Sequence, residues 1–140
     1  MSSITLEDVK KSEEVKIFLE IAERQMEALG YTEHSFRHVG LVSVTAGNIL
    51  KALEYPEREV ELAKIAGYLH DIGNAVNRFD HAHSGAILAY NILTKMGMDT
   101  REAAEIILAI GNHDEGSGTA VSSISAALIL ADKSDVHRSR

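Results

Sequence analysis

Apolar residues recur at helical spacing along almost the whole chain. Val15, Phe18, Leu19, Ala22, Met26 and Leu29 fall three or four positions apart, the period of one face of an α-helix. The first segment reads as a helix over about residues 5–29, with Gly30 as its stop. Thr32 offers an N-cap ahead of a second stripe, Phe36, Val39, Val42, Ala46, Ile49, Leu50 and Leu53, which predicts a helix to about residue 54. Pro56 cannot continue that helix but suits the first turn of a third, which runs to about Ile72 and ends at Gly73. Residues 73–80 read as a loop. A fourth helix is expected from near His83 to Gly97. The fifth opens with Asp99-Thr100-Arg101-Glu102, an acid-first form of the capping box. It carries Ala103, Ile106, Ile107 and Ile110 and ends near His113. A loop over Glu115-Gly116-Ser117-Gly118-Thr119 leads to a sixth helix, over about residues 122–137. No run of alternating Val, Ile, Thr and aromatic residues suggests a strand. The expected architecture is an all-α bundle of about six helices with short connections.

Length and composition narrow the function. The 140 residues suit one domain, expected over 1–140, with an N-terminal helix and a core from about residue 30 to 137. The chain stops eight residues after Asp132, which leaves room for a longer natural C-terminus. There is no cysteine, so disulfides, thiolate metal sites and cysteine nucleophiles are excluded and any metal must be held by nitrogen and oxygen. The N-terminus has no signal-peptide pattern, and no apolar run approaches the roughly 20 residues that span a bilayer. A cytoplasmic protein is the resulting expectation. A net charge of -7 argues against binding large nucleic acids, whose phosphates need basic surfaces. The apolar first helix is expected to pack on its own domain, with a homodimer interface as the alternative.

The candidate chemistry starts at His70-Asp71, a polar pair closing the apolar run Ile65-Ala66-Gly67-Tyr68-Leu69. Polar or charged groups away from water need compensation, and a bound metal ion supplies it. His38, with His34 four residues earlier and Arg37 beside it, lies on the second helix. His83 opens the fourth, His113 closes the fifth, and Asp132 ends the run Leu128-Ile129-Leu130-Ala131 on the sixth. An anionic Asp71 can direct one oxygen to each of two metals. His38, His70, Asp71, His83, His113 and Asp132 are thus candidate ligands from five helices, suited to one or two divalent Fe, Mn, Zn, Ni or Co ions. Of the seven histidines, His81 and His137 read as surface residues. Asp135 reads as support for a ligand or as a surface acid.

The pattern formed by His38, His70-Asp71 and Asp132 resembles the HD-domain superfamily of metal-dependent phosphohydrolases, over about residues 30–137. The resemblance implies that these four residues hold one metal. His83 and His113 resemble the extra histidines of the dinuclear branches, among them HD-GYP phosphodiesterases and diadenosine tetraphosphate hydrolases; by that likeness they hold a second metal and Asp71 bridges the two. Asn74 stands where HD-GYP proteins usually carry lysine, and the GYP tripeptide is absent, which argues against cyclic-di-GMP hydrolysis. The implied reaction is attack by a metal-bound hydroxide on a phosphate ester or anhydride of a nucleotide-like small molecule. Asp71, Arg37, Lys133 and His34 are the expected catalytic residues, with Asn74, Arg78 and Arg138 as further helpers. The alternatives are an HD-type di-iron oxygenase and a non-catalytic nucleotide-binding regulatory domain.

Overall fold

The computed structural model describes residues 3–31, 36–114 and 119–135. Among these residues the chain forms α1 (Leu6–Lys11), α2 (Glu13–Ala28), α3 (Phe36–Ala52), α4 (Glu57–Leu69), α5 (His81–Lys95), α6 (Thr100–Gly111) and α7 (Ser123–Ser134), with a 3-10 turn at Ile72–Ala75 and no strand. The all-α expectation holds.

Capping chemistry sets the element boundaries. The segment expected to be one helix over 5–29 breaks at Ser12, whose extended backbone ends α1. Its hydroxyl accepts from the Val15 N–H at 3.3 Å and starts α2. A serine followed by Glu13 and Glu14 is an N-cap signal. At the other end of α2, Gly30 has φ 94 and closes a Schellman motif, with Tyr31 N–H reaching the Met26 carbonyl. Gly97, with φ 99, does the same for α5 through Met98 N–H and the Leu93 carbonyl. Asp99 caps α6 by accepting from Arg101 and Glu102 N–H. The reciprocal half of the expected capping box is absent, because the Glu102 carboxylate instead makes a two-pronged pair with Arg58 at 2.9 and 2.7 Å. Arg58 also donates to the Ile4 carbonyl at 2.7 Å, so one guanidinium ties the N-terminal segment to α4 and α6. The Thr32 N-cap expected for α3 lies outside the described residues.

Helix α4 is the centre of the bundle. It packs against α1, α3, α6 and α7, and Val60, Leu62, Ala63 and the run Ile65 to Leu69 are buried. Its last five residues, Ile65 to Leu69, are apolar on every side and must be enclosed, which is why the run that leads into the His-Asp pair lies deep in the core. The stretch expected to be a loop after Gly73 begins with the 3-10 turn, which packs on α2 and α5. Gly73 allows that contact: a β-carbon there would collide with the His81 carbonyl oxygen and lie 2.6 Å from Gly85 N. The backbone after Asp71 therefore presses directly on the first turn of α5. Among the described residues no helix is long and apolar enough to cross a membrane.

Candidate metal centre

Five helices bring their ends together around Asp71. His38 lies in the first turn of α3, His70 caps the end of α4, and His81 is the first residue of α5. His113 follows the end of α6, and Asp132 lies in the last turn of α7. Within this cluster His38 Nε2 stands 3.2 Å from His70 Nε2 and 3.0 Å from Asp132 Oδ1. Asp71 divides its carboxylate. Oδ2 lies 3.5 Å from His38 Nε2 and 3.4 Å from His70 Nε2. Oδ1 lies 3.4 Å from His81 Nε2 and 3.7 Å from His113 Nε2. Three ligand sets result, each with donor atoms within 4.8 Å of one another: His38-His70-Asp71, His70-His113-Asp132 and Asp71-His81-His113.

The histidine tautomers follow from their outer partners. His70 Nδ1 faces the Gly67 carbonyl at 2.7 Å, His81 Nδ1 the Arg78 carbonyl at 3.1 Å and His113 Nδ1 the Ile110 carbonyl at 2.6 Å. In each case the acceptor is the carbonyl three residues back, and a carbonyl can only accept. His38 Nδ1 faces Asp135 Oδ2 at 2.7 Å. All four Nδ1 atoms therefore carry the proton, and all four Nε2 lone pairs turn inward. His38 Nε2 and His70 Nε2 then meet as two acceptors, beside two carboxylates. Such a set is repulsive until a cation, either a proton or a metal, sits among the lone pairs.

The titration behaviour carries the same message. Burial, the largest single influence on His70, pushes its pKa down, but Asp71, Asp132 and the Gly67 carbonyl together outweigh it and hold it at about 9. Burial pushes Asp71 up, and His70, His113 and His81 bring it well below the usual carboxylate range. Asp132 is lowered in the same way, against burial, by His38 and His70. The site thus favours bound positive charge. Imidazole and carboxylate donors with their outer partners already in place fit a divalent transition metal. The Asp71 and Asp132 side chains are 16% and 23% exposed, so the opening to solvent is on the carboxylate side.

The structure brings together five of the six expected ligands: His38, His70, Asp71, His113 and Asp132. His83 is the correction. Its ring is 70% exposed and pairs with Asp80 at 2.8 Å. His81, read from sequence as a surface residue, is 4% exposed and stands at the centre instead. Residues two apart on a helix point about 200° apart, so only one of this pair can face inward. The signal was available: His81, Ala82, Gly85, Ala86, Ala89, Ile92 and Leu93 form the buried stripe of α5, while His83 shares its face with exposed Ile87.

Among the expected helpers, Arg37 is committed to Asp135 at 2.8 Å, Lys133 is exposed on α7, and Arg78 donates to Asn74 Oδ1 at 3.4 Å. His34 and Arg138 lie outside the described residues. Sequence reading left Asp135 open between ligand support and surface acid; the structure places it at 7% exposure against His38.

A family profile described as HD domain matches residues 31–137, the span that contains every residue of this cluster. The chain belongs to the HD-domain family. HD domains bind divalent metals, and the family is one of metal-dependent hydrolases. Over 94% of its length the chain superposes on 74% of the crystal structure of a predicted HD superfamily hydrolase from an uncultured Thermotogales bacterium, with a TM-score of 0.65 and 26% identity. An uncharacterized Methanocaldococcus jannaschii protein, MJ1020, is 27% identical over 96% of this HD chain. The chain spans 60% of that relative's length.

Proposed function

We propose that this HD domain, read as one unit over residues 1–140, is a dinuclear phosphohydrolase that cleaves a phosphate ester or anhydride of a nucleotide-like small molecule. The observation that carries the reading is the divided carboxylate of Asp71, with Oδ2 toward His38 and His70 and Oδ1 toward His81 and His113. One half of the centre then comprises His38, His70, Asp71 and Asp132, and the other Asp71, His81 and His113. Divalent ions held there would supply Lewis acidity to phosphate oxygens and to an attacking water. The chain's own part is to fix six donor groups before substrate arrives, with each imidazole oriented by its Nδ1–H bond. In a protein of net charge -7, metals at this cluster would form the local positive region that a phosphorylated substrate needs.

The test is metal-reconstituted protein, loaded separately with Mn, Fe, Co, Ni and Zn. It is offered nucleoside mono-, di- and triphosphates, dinucleoside polyphosphates and cyclic dinucleotides, with product read by phosphorus NMR. Hydrolysis of at least one class is expected, with loss of about a thousand-fold or more in Asp71→Asn, since both halves share that carboxylate. No hydrolysis of any class, together with iron-dependent oxygen consumption, would replace this reading by the oxygenase one.

A further inference from the structure

We infer that Asp135 is a positioning residue of the metal centre: it holds His38 by Nδ1 and so turns Nε2 toward the ligand set that includes Asp132. The inference rests on the metal-centre reading and not on the identity of the substrate.

His38 differs from the other three histidines in how it is oriented. His70, His81 and His113 each use a carbonyl three residues back in their own segment. His38 Nδ1 instead meets a partner 97 positions away, at the end of α7. That partner is a carboxylate, and a second carboxylate three residues earlier, Asp132, approaches the other nitrogen at 3.0 Å. The pair Asp132-Lys133-Ser134-Asp135 therefore brackets one imidazole. Asp132 belongs to the ligand set, while Asp135 acts through the ring.

The chemistry of each removal can be stated. Without Asp135 the buried His38 Nδ1–H would lose a charged hydrogen-bond partner, at a cost. The ring can escape that cost by moving its proton to Nε2, and a protonated Nε2 cannot ligate a metal. A carboxylate also does something that the three carbonyls cannot. Its charge strengthens the imidazole as a donor, as outer carboxylates do for metal-bound histidines generally. The buried charge of Asp135 is itself compensated by the Arg37 guanidinium, 2.8 Å away on the same oxygen. Arg37 thereby moves from an expected catalytic residue to a support of the positioning carboxylate.

The experiment is zinc titration of chelator-stripped full-length protein in competition with a chromophoric chelator, alongside nitrogen-15 NMR of the histidine rings. Wild type should bind two equivalents, with His38 in the Nδ1–H form. Asp135→Ala should weaken one equivalent by about 10- to 100-fold, move His38 toward the Nε2–H form, and leave the other equivalent less affected. Asp135→Asn, which keeps the acceptor but not the charge, should recover part of that loss. Arg37→Ala should lose a few-fold in the same equivalent. A folded Asp135→Ala protein with lowered Tm but wild-type zinc affinity and an unchanged His38 tautomer would overturn the inference and leave Asp135 as a tie between α3 and α7. If Asp135→Ala does not fold, wild-type affinity in both Asp135→Asn and Arg37→Ala would overturn it equally. A wild type that binds no metal would sink the centre as well. Failure to find a hydrolysable substrate would leave these binding results standing.

Discussion

Replacing His81 by alanine should remove one metal equivalent, whereas replacing His83 should remove none. His81 and His83 are two residues apart, yet their surroundings differ. The His81 ring is buried, with Nδ1 3.1 Å from the Arg78 carbonyl and Nε2 3.4 Å from Asp71 Oδ1. Its removal leaves Asp71 Oδ1 and His113 as the donors of that half. Loss of a direct donor should exceed the ~10- to 100-fold cost of losing an outer partner, enough for the ion to be lost on desalting. In the metal-free protein the same change costs about 1–2 kcal/mol, from a lost buried hydrogen bond and lost packing. His83 pairs with Asp80 in the open, the two side chains being 70% and 52% exposed, and an exposed pair of this kind is worth about 0–1 kcal/mol. The assay is reconstitution with zinc or manganese, removal of excess ion and elemental analysis per chain, with thermal melting as the folding control. Wild type and His83→Ala should each carry two equivalents, and His81→Ala one. Loss of an equivalent in His83→Ala with both retained in His81→Ala would refute the assignment. Two equivalents retained in every variant would refute the second half of the centre.

Three further substitutions test the scaffold. Gly73→Ala places a β-carbon against the His81 carbonyl and Gly85 N, so it should destabilise by about 1–3 kcal/mol or more through overpacking and displace His81; thermal melting and metal content should fall together. Glu54 holds φ 63 at the end of α3, a left-handed conformation costing about 1–2 kcal/mol for a residue with a β-carbon, and Glu54→Gly should raise the urea midpoint. The Arg58 hydrogen bond lowers the Glu102 pKa, so this pair adds stability above the unfolded-state value of about 4.3 and loses it as pH falls through the lower folded-state value. Glu102→Gln should flatten that part of the acid-unfolding curve, and an unchanged curve would show that the pair contributes nothing.

The helices were legible because each carries a long apolar stripe, and Ile65 to Leu69 signalled enclosure by being apolar without interruption. The break at Ser12 was not, since Lys10, Lys11, Glu13 and Glu14 around it all favour helix and neither glycine nor proline marks the stop. Five ligands could be read from residue type and position near helix ends. His83 was preferred to His81 because proximity to the predicted helix start was weighed instead of the face each residue would share with Ala82, Gly85 and Ala89. The role of Asp135 was open for a different reason. An acid near a chain end looks like any surface acid, and only the packing of α7 against α3 brings it to His38. Long-range partners of this kind leave no periodic trace in the sequence.

Anomalous diffraction from crystals of the metal-loaded protein, collected on either side of the metal absorption edge, tests the central claim most directly. Two peaks are expected, one among His38, His70, Asp71 and Asp132 and the other among Asp71, His81 and His113, with one Asp71 oxygen on each. Absence of any peak between His38, His70, Asp71 and Asp132, or metal bound only outside this cluster, would contradict it.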